Sequence, residues 1–137
     1  MPVEIKEEPI TIAQAKIGRK KYQTTVSSRN HELLVDEPEE VGGSDAGMDP
    51  QGLLLASLGS CTAITLRMYL DRKMWPVDEI TVNLELYKTE SGTLIKRLLS
   101  FKGEVSIEQK DRLIQIANAC PIHKILIGNI DIQTVLE

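Results

Sequence analysis

The feature that most constrains this chain is a long apolar helix in its middle, predicted from the sequence DPQGLLLASLGSCTAITLRMYLDRK. Asp49 can cap the free amide groups at its start, and Pro50 suits the first helical position, so we expect a helix from there to about Arg72. Leucine and alanine occupy nearly every side of its first half, which a helix tolerates only when protein surrounds it. We therefore expect a central helix, with Cys61 inside it.

Composition and charge limit the class of protein. With 137 residues, of which 42% are apolar, the chain is long enough for one core but short for two, which predicts a single domain over residues 1–137. A formal net charge of −4 disfavours a nucleic-acid partner, because phosphate-binding surfaces carry an excess of Lys and Arg. The start MPVEIKEEPI lacks the features of an export signal, and the longest apolar run, Gly52 to Gly59, falls short of the roughly 20 residues that span a bilayer. We expect a cytoplasmic protein with no membrane segment.

Short stretches of alternating apolar and polar residues precede the helix. Their period of two over residues 13–35 predicts a small antiparallel sheet, with turns at Gly18 and at Arg29-Asn30. Glycines then recur over residues 41–47, where the backbone can adopt turns that other residues cannot. We expect a flexible loop that leads into the helix.

The same alternation follows the helix and predicts a strand over residues 80–87. A turn at Glu90-Ser91-Gly92 leads back through a second strand over residues 93–102, so the two should form a hairpin. Ser106 with Gln109 resembles a capping box that opens a second helix, and Pro121 should stop or kink that helix. A last strand is predicted from Ile130 to Leu136. Strands, helix, hairpin, helix and strand in this order predict an α+β fold, with two main helices packed on mainly antiparallel sheet.

Cys61 and Cys120 are the two cysteines of the chain, and Cys120 is predicted to end the second helix. A free buried cysteine is commonly no more than a small apolar side chain. If the two helices pack side by side, however, one thiolate could react with an oxidant to a sulfenic acid that the second thiol condenses to a disulfide. The nucleophile must be a thiolate, so a cationic neighbour is needed. Arg19 is our candidate for that cation, and a solvated turn arginine is the alternative.

The two histidines could also carry chemistry. His123, three residues after Cys120, could act as a base or a metal ligand, and a helix-end or core histidine is the simpler interpretation. His31 completes a set of two cysteines and two histidines, but zinc sites usually draw ligand pairs from short spans such as C-x₂₋₄-C. No phosphate-binding glycine loop or dinucleotide fingerprint occurs. We therefore predict no cofactor and no metal.

The runs PQGLLLASLGSCTAITLRMYLDRKMWPV and RLIQIANACPIHKIL, with a final IDIQT, resemble the OsmC/Ohr family of osmotically inducible and organic hydroperoxide resistance proteins. The resemblance covers nearly the whole chain, from about Ile10 onward. It implies an OsmC-like fold in an intertwined homodimer, with a long central helix from each chain and two active sites at the interface. It also implies a thiol peroxidase of oxidative-stress defence that reduces organic hydroperoxides, and less readily hydrogen peroxide, to alcohols and water.

The resemblance also implies roles for particular residues. Cys61 matches the peroxidatic cysteine and Cys120 the resolving cysteine, with a disulfide between them that a cellular dithiol, lipoyl-linked in one branch of the family, would reopen. Arg19 matches the arginine that stabilises the thiolate and orients the peroxide. Gln51 stands where the family's peroxidases usually carry a glutamate that pairs with this arginine, so an amide replaces a charged partner. Arg19 is then either freer to serve the thiolate or misplaced, with poor turnover.

Three functions remain open at this point. The leading one is the peroxidase, for which an apolar wall from Leu54 and Leu58 would favour greasy substrates. Its main rival is a non-catalytic binder of an apolar small molecule on the same dimeric scaffold, which Gln51 favours. The third is a thiol-based redox sensor, which needs a protein partner.

Overall fold

The computed structural model describes residues 8–137 and confirms the predicted α+β class. In the described part of the chain, five strands form two antiparallel sheets, one of three strands and one of two, and three α-helices accompany them. The chain divides after Leu54, inside the first helix, into two compact units. The single domain over residues 1–137 stays a prediction.

The first unit contains a sheet of three short strands in sequence order: β1 (Gln14–Ile17), β2 (Thr24–Ser28) and β3 (His31–Val35). Ser28 pairs with His31, so only Arg29 and Asn30 connect β2 to β3, where the sequence predicts a turn. Arg29 adopts a left-handed conformation there, with φ of 58°. The connection from β1 to β2 begins at Gly18, where the sequence also predicts a turn. The alternating pattern therefore located all three strands of this sheet.

Asp36, directly after β3, is buried and organises the loop that follows. Its Oδ1 accepts hydrogen bonds from the backbone N–H groups of Tyr22 and Glu37, at 3.0 and 2.8 Å. Its Oδ2 accepts from the N–H groups of Ser44 and Ala46, at 3.3 and 3.1 Å. Burial acts to raise the pKa of Asp36, but these four donors outweigh it and hold the pKa below its ordinary value. The glycine-rich loop, predicted to be flexible, is thus tied to the end of β3.

Replacing Asp36 with asparagine should destabilise the first unit, because an amide would turn N–H donors toward a site built from four backbone N–H groups. The folded-state pKa of Asp36 is lowered, so its stabilising effect is complete above the ordinary value of 3.8 and is lost as the pH falls through the folded-state value. We expect a melting temperature several degrees below that of the wild type at neutral pH. The difference in melting temperature between Asp36→Asn and the wild type should shrink as the pH falls toward the folded-state pKa of Asp36.

Glu39→Gln is the matched control, since Glu39 is exposed in a single 3₁₀ turn of the same loop, Glu39–Val41, and loses the same charge. Thermal unfolding followed by circular dichroism over a pH series measures both variants. Equal melting temperatures for Asp36→Asn and the wild type at neutral pH would contradict the anchoring role of the carboxylate.

Helix α1 (Pro50–Lys73) begins where the sequence predicts, and Asp49 Oδ1 accepts the N–H of Gly52 at 3.0 Å. Its buried positions recur every three or four residues along one stripe: Leu58, Gly59, Thr62, Leu66, Tyr69 and Leu70. Other apolar side chains of the helix are exposed in this chain, with Ile64 at 54% and Met68 at 65%. The helix therefore packs through one face, and this chain by itself does not surround it as the sequence predicts.

By length and composition, α1 could cross a membrane, and it is the one such helix among residues 8–137. The core helix of a water-soluble protein meets the same criterion, and 33% of the most apolar window of α1 is buried against the rest of this chain. Length and apolar content by themselves are therefore weak grounds for a membrane span. The absence of a membrane segment stays a prediction.

The second unit contains the predicted hairpin, of β4 (Val77–Lys88) and β5 (Thr93–Gly103), which extends further at both ends than the alternation indicates. Alternate residues of both strands form one half-buried face, on which Leu84 and Arg97 stand opposite each other. Gly59 of α1 lies against this face, since a Cβ at that position would lie 2.7 Å from Leu84 Cδ1. Glycine thus allows α1 to approach the hairpin closely.

The hydrophobic core of the second unit lies between α1, the start of β4 and helix α2 (Ile107–Ala117): Leu66, Tyr69, Leu70, Val77, Leu113 and Ala117. Trp75 closes one end of it, with its ring 5.6 Å from that of Tyr69 at an interplanar angle of 81°. Burial of these side chains fixes α1 against α2. The chain segment after α2 is thereby held beside the middle of α1.

The predicted capping box at the start of α2 is confirmed, with Ser106 and Gln109 hydrogen-bonded to each other's backbone N–H. The helix ends at Ala117, and Pro121 opens a third helix, α3 (Pro121–Ile127), instead of only stopping the second. Proline fits there because the first helical position needs no N–H donor. Cys120 therefore precedes α3 as its N-cap and does not end α2 as the sequence predicts, and the short α3 adds to the two predicted main helices.

The strand predicted from Ile130 to Leu136 is wrong for this chain, since residues 129–137 adopt no regular secondary structure. A strand needs a partner, and in this unit β4 and β5 hydrogen-bond to each other. The alternating apolar residues of the segment are exposed, with Ile132 at 82% and Val135 at 87%. The period-two pattern is present, but no described strand pairs with it.

Candidate active site

The two cysteines lie side by side in the second unit. Cys61 comes from the middle of α1 and is half-buried, whereas Cys120, at the N-terminus of α3, is fully buried at 0% exposure. Both are free thiols, and their side chains are close enough to hydrogen-bond each other. The juxtaposition that the sequence leaves conditional on helix packing is therefore present.

The surroundings of the two sulfur atoms differ. Cys120 Sγ accepts the backbone N–H of His123 at 3.4 Å, as an N-cap side chain does. Burial acts to raise the pKa of Cys120, but the hydrogen bond from Cys61 and the backbone N–H groups at the start of α3 hold its pKa below the ordinary value. Burial raises the pKa of Cys61, and its interaction with Cys120 raises that pKa further. In the reduced pair, Cys120 is thus the preferred thiolate and Cys61 the thiol that donates to it.

An arginine that the sequence analysis did not single out lies beside this pair. Arg97 of β5 donates from Nη1 to the hydroxyl of Thr62 at 3.0 Å. Its Nη2 donates to Asn118 Oδ1 at 2.8 Å and to His123 Nδ1 at 3.2 Å. One guanidinium group therefore links α1, the hairpin and the segments on both sides of Cys120.

His123 is neutral in this arrangement. Arginine has no acceptor atom, so the Nδ1 that Arg97 contacts must accept, and the ring proton lies on Nε2. Burial lowers the pKa of His123, and the charge of Arg97 lowers it further. The histidine therefore acts as an acceptor for the arginine, and it lies in the first turn of α3, in keeping with the simpler interpretation of a helix-end histidine.

The sequence position of Arg97 is informative only once the register of β5 is known. In β5, Ile95, Leu99 and Phe101 occupy the face that packs toward α1, and Arg97 interrupts them in the same register. A charged residue at such an inward position needs a polar partner. The sequence does not say which partner, because Thr62 and His123 belong to other elements.

The other two predicted site residues, Arg19 and Gln51, belong to the first unit. Arg19 is exposed shortly after β1, and Gln51 is exposed in the first turn of α1. In the described chain, the two side chains are not hydrogen-bonded to each other. Asp49, two residues before Gln51, uses Oδ1 to cap α1. The roles of Arg19 and Gln51 stay predictions.

Among residues 8–137, no group of three or more His, Cys, Asp and Glu side chains converges on a point that could hold a metal ion. His31 lies on β3 in the first unit, and the two cysteines with His123 lie in the second. The residues that this site does bring together are two free thiols and the guanidinium group of Arg97.

The fold is shared with solved structures. An OsmC-like protein from Mycoplasma pneumoniae matches with a TM-score of 0.74 at 18% identity, over 88% of this chain and 89% of that one. An organic hydroperoxide resistance protein from Elizabethkingia anophelis matches with a TM-score of 0.64 at 25% identity, over 91% and 93% of the two chains. An organic hydroperoxide resistance protein OsmC from Legionella pneumophila gives 0.61 at 25% identity, over 92% and 95%. The OsmC-like fold that the resemblance implies is thus confirmed.

The sequence itself matches a family model over most of its length. The model described as OsmC, OsmC-like protein, covers residues 42–135 and so includes both cysteines and the cluster around Arg97. No curated protein matches the chain significantly. Because the family model spans more than half of the chain, this protein belongs to the OsmC family.

Proposed function

We propose that this protein is a thiol-dependent peroxidase that reduces organic hydroperoxides to alcohols through Cys61 and Cys120. The observation that carries the proposal is the pair of free thiols within hydrogen-bond reach, one half-exposed and one buried. Membership of the OsmC family and the likeness to organic hydroperoxide resistance proteins support a role in peroxide resistance. The thiol pair gives that role a chemical route.

In the first step, Cys61 is the nucleophile because it is the more exposed thiol. Its proton passes to the Cys120 thiolate as its sulfur attacks the terminal oxygen of the hydroperoxide. The O–O bond breaks, a Cys61 sulfenic acid forms, and the alkoxide takes a proton from solvent to leave as the alcohol. Arg19, the cation that the family resemblance implies, would stabilise the charge that develops on the departing oxygen.

In the second step, the sulfur of Cys120 attacks the sulfur of the Cys61 sulfenic acid. The S–O bond breaks, hydroxide leaves as water with the proton that Cys120 gives up, and a disulfide remains. Two electrons pass from the thiol pair to the hydroperoxide in the whole cycle. A dithiol, lipoyl-linked in one branch of the family, would then reduce the disulfide.

The neighbours of Cys61 on α1 favour an apolar substrate. Ile64 stands three residues after Cys61, so the two side chains are neighbours on the helix surface, and Ile64 is 54% exposed. Covering such surface with hydrocarbon gains about 25 cal/mol per Å². A hydroperoxide with a bulky apolar group should therefore bind better than hydrogen peroxide.

We also propose that the protein works as a cytoplasmic homodimer. Large apolar side chains of α1 and of the outer hairpin face are exposed in the single chain, among them Met68 at 65% and Leu98 at 66%. Apolar surface of this extent is typical of a face that another chain covers. Sedimentation equilibrium should give twice the chain mass of 15.3 kDa, and a monomer at micromolar concentration would contradict the proposal.

The function is tested by mixing the reduced protein with cumene hydroperoxide or with hydrogen peroxide in a stopped-flow instrument and following loss of free thiols. We expect second-order oxidation that is at least about tenfold faster with cumene hydroperoxide, which corresponds to about 1.4 kcal/mol of apolar binding in the transition state. Free cysteine under the same conditions is the reference. Thiols that react with neither oxidant faster than free cysteine would favour the non-catalytic binder.

A further inference from the structure

Arg97 is a charged residue with neutral partners on a packing face. Its contacts are the hydroxyl of Thr62, the amide oxygen of Asn118 and the ring of His123. No carboxylate lies within 4.0 Å of it among residues 8–137, where the one salt bridge joins Arg67 and Asp71. Its positive charge is therefore not neutralised by an acid and acts on the groups around it.

Thr62 connects this charge to Cys120. Its buried hydroxyl accepts from Arg97 and donates to the carbonyl of Leu58 at 2.7 Å, and it also lies within hydrogen-bond reach of the Cys120 sulfur. A hydroxyl has a single hydrogen, so Thr62 can serve either Leu58 or Cys120 at one time. The N–H group of Arg97 that donates to the Thr62 oxygen polarises the hydroxyl. The hydroxyl hydrogen of Thr62 thereby becomes a stronger donor to a thiolate.

His123 makes a second connection. Its backbone N–H donates to Cys120 Sγ at 3.4 Å while its ring accepts from Arg97 at 3.2 Å. The guanidinium group of Arg97 thus holds His123 in place, and the backbone N–H of His123 faces the Cys120 sulfur. Arg97 reaches Cys120 from two sides, through a side chain of α1 and through the first turn of α3.

We propose that Arg97 is a positioning residue that, through Thr62 and His123, favours the thiolate of Cys120 and so sets the rate at which the disulfide forms. This inference rests on the proposed peroxidase function, and it adds a residue for which the family resemblance implies no role. Arg97 acts on the resolving cysteine, whereas the cation expected for the peroxidatic cysteine is Arg19.

The titratable and charged groups that face Cys120 in the second unit are Cys61 from α1, Arg97 from β5 and His123 from α3. Burial acts to raise the pKa of Cys120, and hydrogen bonds from Cys61, from the backbone N–H of His123 and from Thr62 act to lower it. Because His123 is neutral, Arg97 is the cation of this set. Protonation of His123 in acid would break its contact with Arg97, since both groups would then be donors.

The first experiment needs no hydroperoxide. In a Cys61→Ser background, Cys120 is the only thiol, and its ionisation can be followed by thiolate absorbance across a pH series. Adding Arg97→Gln should lower the thiolate fraction near neutral pH by about tenfold, as expected for loss of a nearby opposite charge. Arg97→Lys keeps the charge but not the forked geometry, so it should recover part of the difference.

The second experiment follows the disulfide step after one equivalent of hydroperoxide. Arg97→Gln should form the disulfide about tenfold more slowly than the wild type and accumulate Cys61 sulfinic acid, which mass spectrometry detects. Thr62→Val should do the same because it removes the hydroxyl, whereas Thr62→Ser retains the hydroxyl and should restore the rate.

Lys96→Gln is the matched control, because it removes the same charge from the neighbouring position of β5, whose side chain contacts the ring of Tyr87 on the opposite face. It should leave both the titration and the disulfide rate unchanged. Melting temperatures identify any variant that does not fold. If Arg97→Gln or Thr62→Val does not fold, the comparison of Arg97→Lys and Thr62→Ser with the wild type decides the test.

The two proposals fail in different ways. A wild-type protein that does not consume hydroperoxide would overturn the peroxidase function, while the titration of Cys120 would still decide the role of Arg97. A titration midpoint and a disulfide rate that are equal in Arg97→Gln and the wild type would overturn the positioning role, whatever the activity toward hydroperoxide.

Discussion

Replacing Cys61 with serine should reduce the consumption of organic hydroperoxide to the rate of the uncatalysed reaction. Cys61 is the more exposed sulfur of the pair, and a serine hydroxyl at that position is not an effective nucleophile without a base to activate it. Cys120 is buried at 0% exposure, so it cannot replace Cys61 as the group that meets the oxidant. Peroxide loss in a ferrous-oxidation assay measures the effect.

Cys120→Ser should behave differently and thereby distinguish the two roles. It should consume about one equivalent of hydroperoxide and then stop, because the sulfenic acid of Cys61 has no thiol with which to condense. Further oxidant should convert it to sulfinic acid, which mass spectrometry reads as two added oxygen atoms. Wild-type activity in Cys61→Ser, or repeated turnover in Cys120→Ser with the dithiol reductant, would contradict the proposed cycle.

Leu66→Ala should lower the free energy of unfolding of the second unit by about 2–5 kcal/mol. Leu66 is fully buried at 0% exposure, in the core where α1 packs against β4 and α2. Truncation removes apolar contacts and leaves a cavity that the surrounding helices can fill only in part. Urea unfolding at a fixed protein concentration measures the difference.

Asp71→Ala on the same helix is the control, because its salt bridge with Arg67 at 3.3 Å is exposed and worth less than about 1 kcal/mol. A loss for Leu66→Ala no larger than that of the control would contradict the position of Leu66 in the core. Because α1 also carries Cys61, a shift of this helix in Leu66→Ala should slow the reaction of the thiol pair with hydroperoxide.

Much of the fold follows from local patterns in the sequence. Period-two alternation predicted β1 to β4, the turn at residues 90–92 predicted β5, and the caps at Asp49 and Ser106 predicted the starts of α1 and α2. These signals depend on neighbouring residues alone. The segment from Ile130 to Leu136 carries the same alternation and forms no strand. Alternation expresses a preference for extended backbone, and a strand also needs a hydrogen-bonding partner that the pattern cannot supply.

The third helix was missed for a similar reason. Proline ends a helix that it follows and opens one that it begins, and the sequence around Pro121 permits both. Which occurs depends on whether the next residues pack. The difference matters for chemistry, because it converts Cys120 from the last residue of one helix into the N-cap of the next, where backbone N–H groups face its sulfur.

The sequence by itself determined the class of fold, the family and the two thiols. These follow from composition, from periodicity and from motifs of residues that are consecutive in the chain. Only the tertiary structure decided which sulfur is preferred as the thiolate and that Arg97 lies beside it. The ionisation of a thiol is set by burial and by donors within a few ångströms, and here those donors come from segments far apart in sequence. The packing of α1 against β5 and α2 brings them together.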